Sequence, residues 1–185
     1  MKKILLITIV ILSTSCQGQH NILKVEECIQ KKFNTTEFLN SDLEKVNFFE
    51  MILSIEKELI NTGFLNDNSR DSYLKADINF HSLDRSSLKN KLDKILEDNN
   101  VYDLGTVNNL IYNCINYYNN DLGVISDSME NQMKVYDKVY AEEGVFNSEN
   151  FNKLVLAINN EDFNNIICRS ALIILIYDSL GSDKK

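Results

Sequence analysis

The chain has 185 residues, 27 acidic against 19 basic, for a net charge of −8, with no proline, no tryptophan and four cysteines. An acidic balance of this size argues against nucleic acid, which needs Lys and Arg against phosphate, and against electrostatic docking on anionic lipid. The simpler reading is that acidity keeps a protein soluble; it would also suit a basic protein partner, because complementary charge speeds encounter and selects the pairing.

The first element is a secretory signal over residues 1–15. Met1-Lys2-Lys3 is a positive start, Ile4 to Leu12 is apolar except for Thr8, and Ser13-Thr14-Ser15 are small. These are the three parts of a cleaved export segment. The nine-residue apolar stretch falls far below the roughly 20 residues that span a bilayer as a helix. Cys16 follows directly. Ser13-Thr14-Ser15-Cys16 resembles the lipobox of bacterial lipoproteins, with Ser13 where the common pattern has leucine. The resemblance implies cleavage before Cys16, diacylglycerol on its sulfur and acylation of the new amino terminus. It also implies placement in the cell envelope, on the outer membrane facing the periplasm, with surface exposure as the alternative. Each buried methylene contributes about 0.8 kcal/mol, so two or three chains on one residue make a lasting anchor. Residues 16–21 are then a polar tether.

Removing Lys2 and Lys3 leaves 17 basic and 27 acidic residues in a mature chain from Cys16 to Lys185, a net of 17 − 27 = −10. Its length suits one domain with its own core.

Helical signals follow one another along the chain. Residues 22–33 form a first helix. Ser41-Asp42-Leu43-Glu44 reads as a capping box opening a second, which runs to Thr62 and stops at Gly63. A short helix covers Asp71 to Phe80. Asp84 caps a fourth, with Leu88, Leu92, Ile95 and Leu96 at helical spacing, and Asn99-Asn100 ends it. Thr106 starts the fifth, and Ser126 or Asp127 opens the sixth, which carries Met129, Met133, Tyr136 and Tyr140 on one line. Ser148 opens the seventh, and the last runs from Asp162 to Leu180. Ile166 to Tyr177 is apolar nearly all round, the mark of a central helix buried on most sides. Nothing alternates with period two for long, so no strand is expected. The fold class expected is all-α: a single compact bundle of about eight helices over residues 22–181, with 182–185 as a polar tail.

Within the second helix, Glu56 projects into the middle of an apolar arc formed by Phe49, Ile52, Leu59 and Ile60. A bare carboxylate there is costly, so it must find a partner or protonate. Arg169 is the mirror case on the most apolar helix, and its planar fork suits a carboxylate. Glu56 and Arg169 are therefore expected to meet inside the domain, as a pair that sets helix docking rather than one that does chemistry. Of the three cysteines left after Cys16, Cys114 and Cys168 lie on apolar helix stretches and are the expected disulfide; three buried reduced thiols, Cys28 among them, are the alternative.

Motifs for chemistry are sparse. The two histidines, His20 and His81, stand in no zinc or di-iron spacing. Asn66-Asp67-Asn68-Ser69-Arg70-Asp71 has the look of a calcium loop but lacks its turn glycine and late glutamate. Only six glycines occur, and none forms a phosphate loop or a nucleophile elbow. No catalytic, metal or cofactor residue is assigned. The function expected is a lipid-anchored, protein-binding module of the envelope, with an immunity-type inhibitor of a basic partner as one concrete form. A helical carrier of a small apolar ligand, in a cavity lined by Tyr112, Tyr118, Tyr136 and methionines, is the alternative, and an enzyme the third reading.

Overall fold

The computed structural model describes residues 22–35, 45–76, 78, 84–101, 104–105, 107–122, 127–139 and 147–181, without the side chains of residues 119–122. These residues form eight α-helices and no strand. They are α1 (residues 22–33), α2 (Phe48–Asn61), α3 (Arg70–Leu74), α4 (Arg85–Asp98), α5 (Val107–Leu122), α6 (Asp127–Lys138), α7 (Ser148–Leu156) and α8 (Ile166–Gly181). A 3₁₀ turn, Asp162–Asn164, precedes α8.

The arrangement is all-α and organised around α8, which packs on α2, α4, α5, α7 and the 3₁₀ turn. Every residue from Ile167 to Tyr177 is buried. A helix with apolar residues on all sides has no solvent face to offer, so its neighbours must surround it. The others are amphipathic. On α2, Phe48, Ile52, Ile55 and Leu59 are fully buried, whereas Glu50, Ser54 and Lys57 face water.

Short polar side chains mark where helices begin. Asn47, Ser69, Asp84 and Asn147 each accept a hydrogen bond from the amide three residues on, at 3.3, 3.2, 3.1 and 2.9 Å. Each bond satisfies a donor that the first turn leaves without an intrahelical partner. Stops are equally local. Gly63 takes φ +75° after α2, and Asn100 takes φ +57° after α4, where the Val101 amide reaches back to the Leu96 carbonyl at 2.8 Å.

Three expected boundaries move. The second helix does not run from Ser41. That capping box lies outside the described residues, and residues 45–47 ahead of α2 are not helical. The Val46 amide and carbonyl are taken by the Asn34 side chain at 2.8 and 3.0 Å, and the Phe48 amide donates to Gln30 Oε1 at 2.9 Å. Two side-chain amides one turn apart, Gln30 on α1 and Asn34 just past its end, thus hold this segment extended, and Asn47 caps the helix that follows. α3 is one short helix ending at Leu74 instead of reaching Phe80. The seventh helix opens at Ser148 as expected, capped by Asn147. The last helix is broken at Asn165, whose backbone is extended at φ −84°, ψ 126°. Its side chain accepts from the Ile167 amide at 3.0 Å and restarts the helix, while Asn159 Oδ1, ahead of the 3₁₀ turn, accepts from the Asp162 amide at 2.8 Å.

Candidate functional site

Cys16, the expected lipid attachment, and the tether through residue 21 lie outside the described residues, as do His20, His81 and Tyr140. The described body begins with α1. No described helix is long and apolar enough to cross a membrane.

The disulfide corrects the expected pairing. Cys114 bonds to Cys28, with Cα atoms 5.9 Å apart, while Cys168 is free and buried. Helical geometry explains the choice. At about 100° per residue, Asn108 and Tyr112 lie on one flank of α5 and Leu110 and Cys114 on the other. The first flank faces α6, where the rings of Tyr112 and Tyr136 pack at a 40° tilt with centroids 4.3 Å apart. The second flank meets α1. Cys168, on α8, is held from a different side, its carbonyl accepting from Gln132 Nε2 on α6 at 3.1 Å. Burial pushes the Cys168 thiol up to about 12, with Asp162 adding to the rise and Arg169 opposing it. It stays protonated at neutral pH and is a poor nucleophile.

Glu56 and Arg169 meet in the core, both nearly sealed from solvent. Arg169 Nε donates to Glu56 Oε1 at 2.7 Å and a terminal nitrogen to Oε2 at 3.1 Å, the two-pronged geometry of a guanidinium on a carboxylate. The other terminal nitrogen donates to the Phe163 carbonyl at 2.7 Å. Tyr73, not anticipated from the sequence, completes the group by donating its hydroxyl to Glu56 Oε1 at 2.6 Å. Its ring packs edge-on against Phe163, centroids 5.2 Å apart. Burial first, and then the Glu56 carboxylate, hold the Tyr73 phenol well above its ordinary range, so it stays a donor. Burial works against the Arg169 charge, but the Glu56 carboxylate outweighs it and raises the guanidinium. The group ties α2, α3, the 3₁₀ turn and α8 together. Its donors and acceptors are spent on one another, which fits docking of helices and leaves nothing aimed at a ligand.

A second polar group lies half-buried between α4 and α8. Lys89 bonds Asp93 one turn on, donates to the Tyr177 hydroxyl at 2.9 Å and sits 4.2 Å from the centroid of that ring; the hydroxyl donates to Asp93 at 2.8 Å. It borders a surface depression of about 600 Å³ that Arg85, Ser86 and Leu180 also line. Arg85 donates to the Ser179 carbonyl near the end of α8. Lys, Tyr and Asp close a ring of contacts, so each stabilises its neighbour.

The segment Asn66–Asp71 is a turn built for the helix after it. Asp67 Oδ1 accepts from the Ser69 amide at 2.8 Å, and Ser72 Oγ accepts from the amides of Asn66 and Asp67 at 2.8 and 3.2 Å. The Ser69 hydroxyl, and then its amide, hold the Asp67 carboxyl below the usual range. Among the described residues, no group of three or more His, Cys, Asp or Glu is placed to hold a metal ion. On α6, Met129 and Tyr136 are buried and Met133 is partly buried, so the methionine–tyrosine line packs inward.

No protein family model, curated protein or solved structure matches the chain.

Proposed function

We propose that this chain is a lipid-anchored protein of the cell envelope whose acidic helical body docks a basic protein, an immunity-type inhibitor being one form of such a module. The Cys28–Cys114 disulfide carries the reading. Disulfides persist in oxidising compartments outside the cytosol, which supports export and so the reading of residues 1–15 as a signal. It also gives the anchor a firm point of attachment. Only the short tether separates Cys16 from α1, a reach of about 20 Å at most, and α1 is bonded covalently to α5. The outer membrane facing the periplasm is the proposed site, with the cell surface as the alternative. The net of 17 − 27 = −10 in the mature chain supports a basic partner.

The test is mild cross-linking of the tagged protein in its own membranes, followed by capture and mass spectrometry over a salt series. The expected result is one basic protein in stoichiometric amount, lost as salt rises from about 0.1 to 1 M because screening shortens the reach of charge. Capture that salt leaves unchanged, or no partner at all, counts against the reading.

A carrier of a small ligand is the second reading. One observation favours it: Asn108 Oδ1 is buried without a hydrogen-bond partner, one turn from Tyr112 on the flank of α5 that faces α6. A buried acceptor of this kind costs roughly 1–3 kcal/mol unless a donor reaches it. A small molecule retained through native mass spectrometry would favour the carrier.

A further inference from the structure

We propose that the start of α1, Leu23 with Lys24 beside it, rests in the lipid surface that holds the anchor, so that the body is presented in one orientation instead of swinging on its tether. The proposal rests on the anchor at Cys16 and adds a second point of contact to it. Two observations carry it. Leu23 is 54% exposed, whereas the other apolar side chains of α1 turn inward: Val25, Ile29 and Phe33 are fully buried, and Ile22 packs against the core. Leu23 also stands seven residues after Cys16, a reach of about 25 Å at most. The other large apolar side chains exposed among the described residues, Leu53, Tyr117 and Leu156, lie on α2, α5 and α7.

The tether decides the occupant. Membrane contact grows with the apolar area that a segment buries, so one leucine is too little to bring a free protein to lipid. Once Cys16 is held, the second contact is intramolecular, and a weak one is populated. Charge points the same way. α1 carries Lys24, Lys31 and Lys32 against Glu26 and Glu27, a net of 3 − 2 = +1, which leaves −10 − 1 = −11 on the rest of the mature chain. Among the other helices only α4 is net positive. An anionic surface therefore repels the body and repels it least at α1. Lys24 is partly exposed, and its long stem lets the ammonium reach headgroup phosphate while Leu23 enters the apolar zone.

The orientation passes to the whole body because α1 is held to it at two places. Cys28 is bonded to Cys114 on α5. Gln30 and Asn34 bond the backbone of Phe48 and Val46, at and just ahead of the start of α2. A lipid contact at Leu23 thus fixes which way α2 and α5 face, and with them the surface offered to a basic partner.

The chain has no tryptophan, so a Leu23→Trp variant reports from that position alone. The mature chain is coupled through Cys16 to a maleimide lipid in vesicles of phosphatidylcholine and phosphatidylglycerol, which supplies the tether by chemistry. Cys168 is buried and protonated, and Cys28 and Cys114 are bonded to each other, so Cys16 alone reacts. Fluorescence is compared between vesicles with ordinary and with brominated acyl chains. Leu53→Trp and Leu156→Trp are the references. All three positions are exposed, so the variants should melt like the wild type. The expected result is bromine quenching of Leu23→Trp at least twofold above both references, and its reduction by at least twofold when Lys24→Glu is added. Quenching no stronger at position 23 than at the references, or quenching that Lys24→Glu leaves unchanged, overturns the proposal. Flotation of the wild-type chain from cell membranes tests the anchor separately: a chain that fails to float refutes the anchor, whereas a coupled chain without quenching refutes the contact at Leu23.

Discussion

Replacing Arg169 with methionine is expected to lower the unfolding free energy by about 3–5 kcal/mol, the usual cost of removing one partner from a buried ion pair. The loss has three sources in this structure. Glu56, sealed in the core, is left with only the Tyr73 hydroxyl. The Phe163 carbonyl loses its donor. The docking of α8 against the 3₁₀ turn loosens at the same point. Adding Glu56→Leu should recover part of the loss, because the pair contributes little beyond what well-packed apolar residues supply. Adding Tyr73→Phe should recover more by removing a hydroxyl that no longer has an acceptor. Urea unfolding of the single, double and triple variants measures each step. A single-variant loss under about 1 kcal/mol, or strictly additive losses at Glu56 and Arg169, would contradict a coupled buried pair.

The second large effect belongs to the disulfide. Cys28 and Cys114 are 86 residues apart, and in the chain-entropy model closing a loop of that size contributes about 4–5 kcal/mol. Cys28→Ser/Cys114→Ser should lose stability of this order. Its consequence should concentrate in α1, whose remaining hold on the body is Val25, Ile29 and Phe33 in the core and the Gln30 and Asn34 amides on Val46 and Phe48. Hydrogen exchange should rise there first. Thiol titration gives a companion result. The native mature chain, with the lipid on Cys16, should expose no reactive thiol, and the unfolded, unreduced chain one, from Cys168. Two thiols released from Cys28 and Cys114 without reductant would refute the pairing.

What could be read from sequence follows physical locality. Caps and stops depend on residues a turn apart, so Asp84 and Gly63 announced themselves, as did the depth of α8, written in its own apolar run. Glu56 and Arg169 were legible for another reason: each is a charge where only a partner makes the position tolerable. Tyr73 was not, because tyrosine sits as readily at a surface as in a core, and only packing against Phe163 fixes its hydroxyl over Glu56. The disulfide failed on tertiary grounds. Cys114 and Cys168 lie on apolar stretches and Cys28 among charged neighbours on α1, and nothing local says that the flank of α5 carrying Cys114 faces α1. The break at Asn165 was hidden in a run with helical spacing, because an asparagine inside a helix and one that caps it look alike until the backbone is seen.

The proposed anchor depends above all on residue 16. The most direct measurement is the mass of the amino-terminal peptide of the mature protein, taken from purified membranes of cells making the full chain. The predicted result is a chain that begins at Cys16 and carries diacylglycerol on its sulfur, together with release of a Cys16→Ser variant from the membrane fraction. An amino terminus elsewhere, or an unmodified Cys16 on a protein that is not held by membranes, would contradict the anchor and the proposed placement in the envelope.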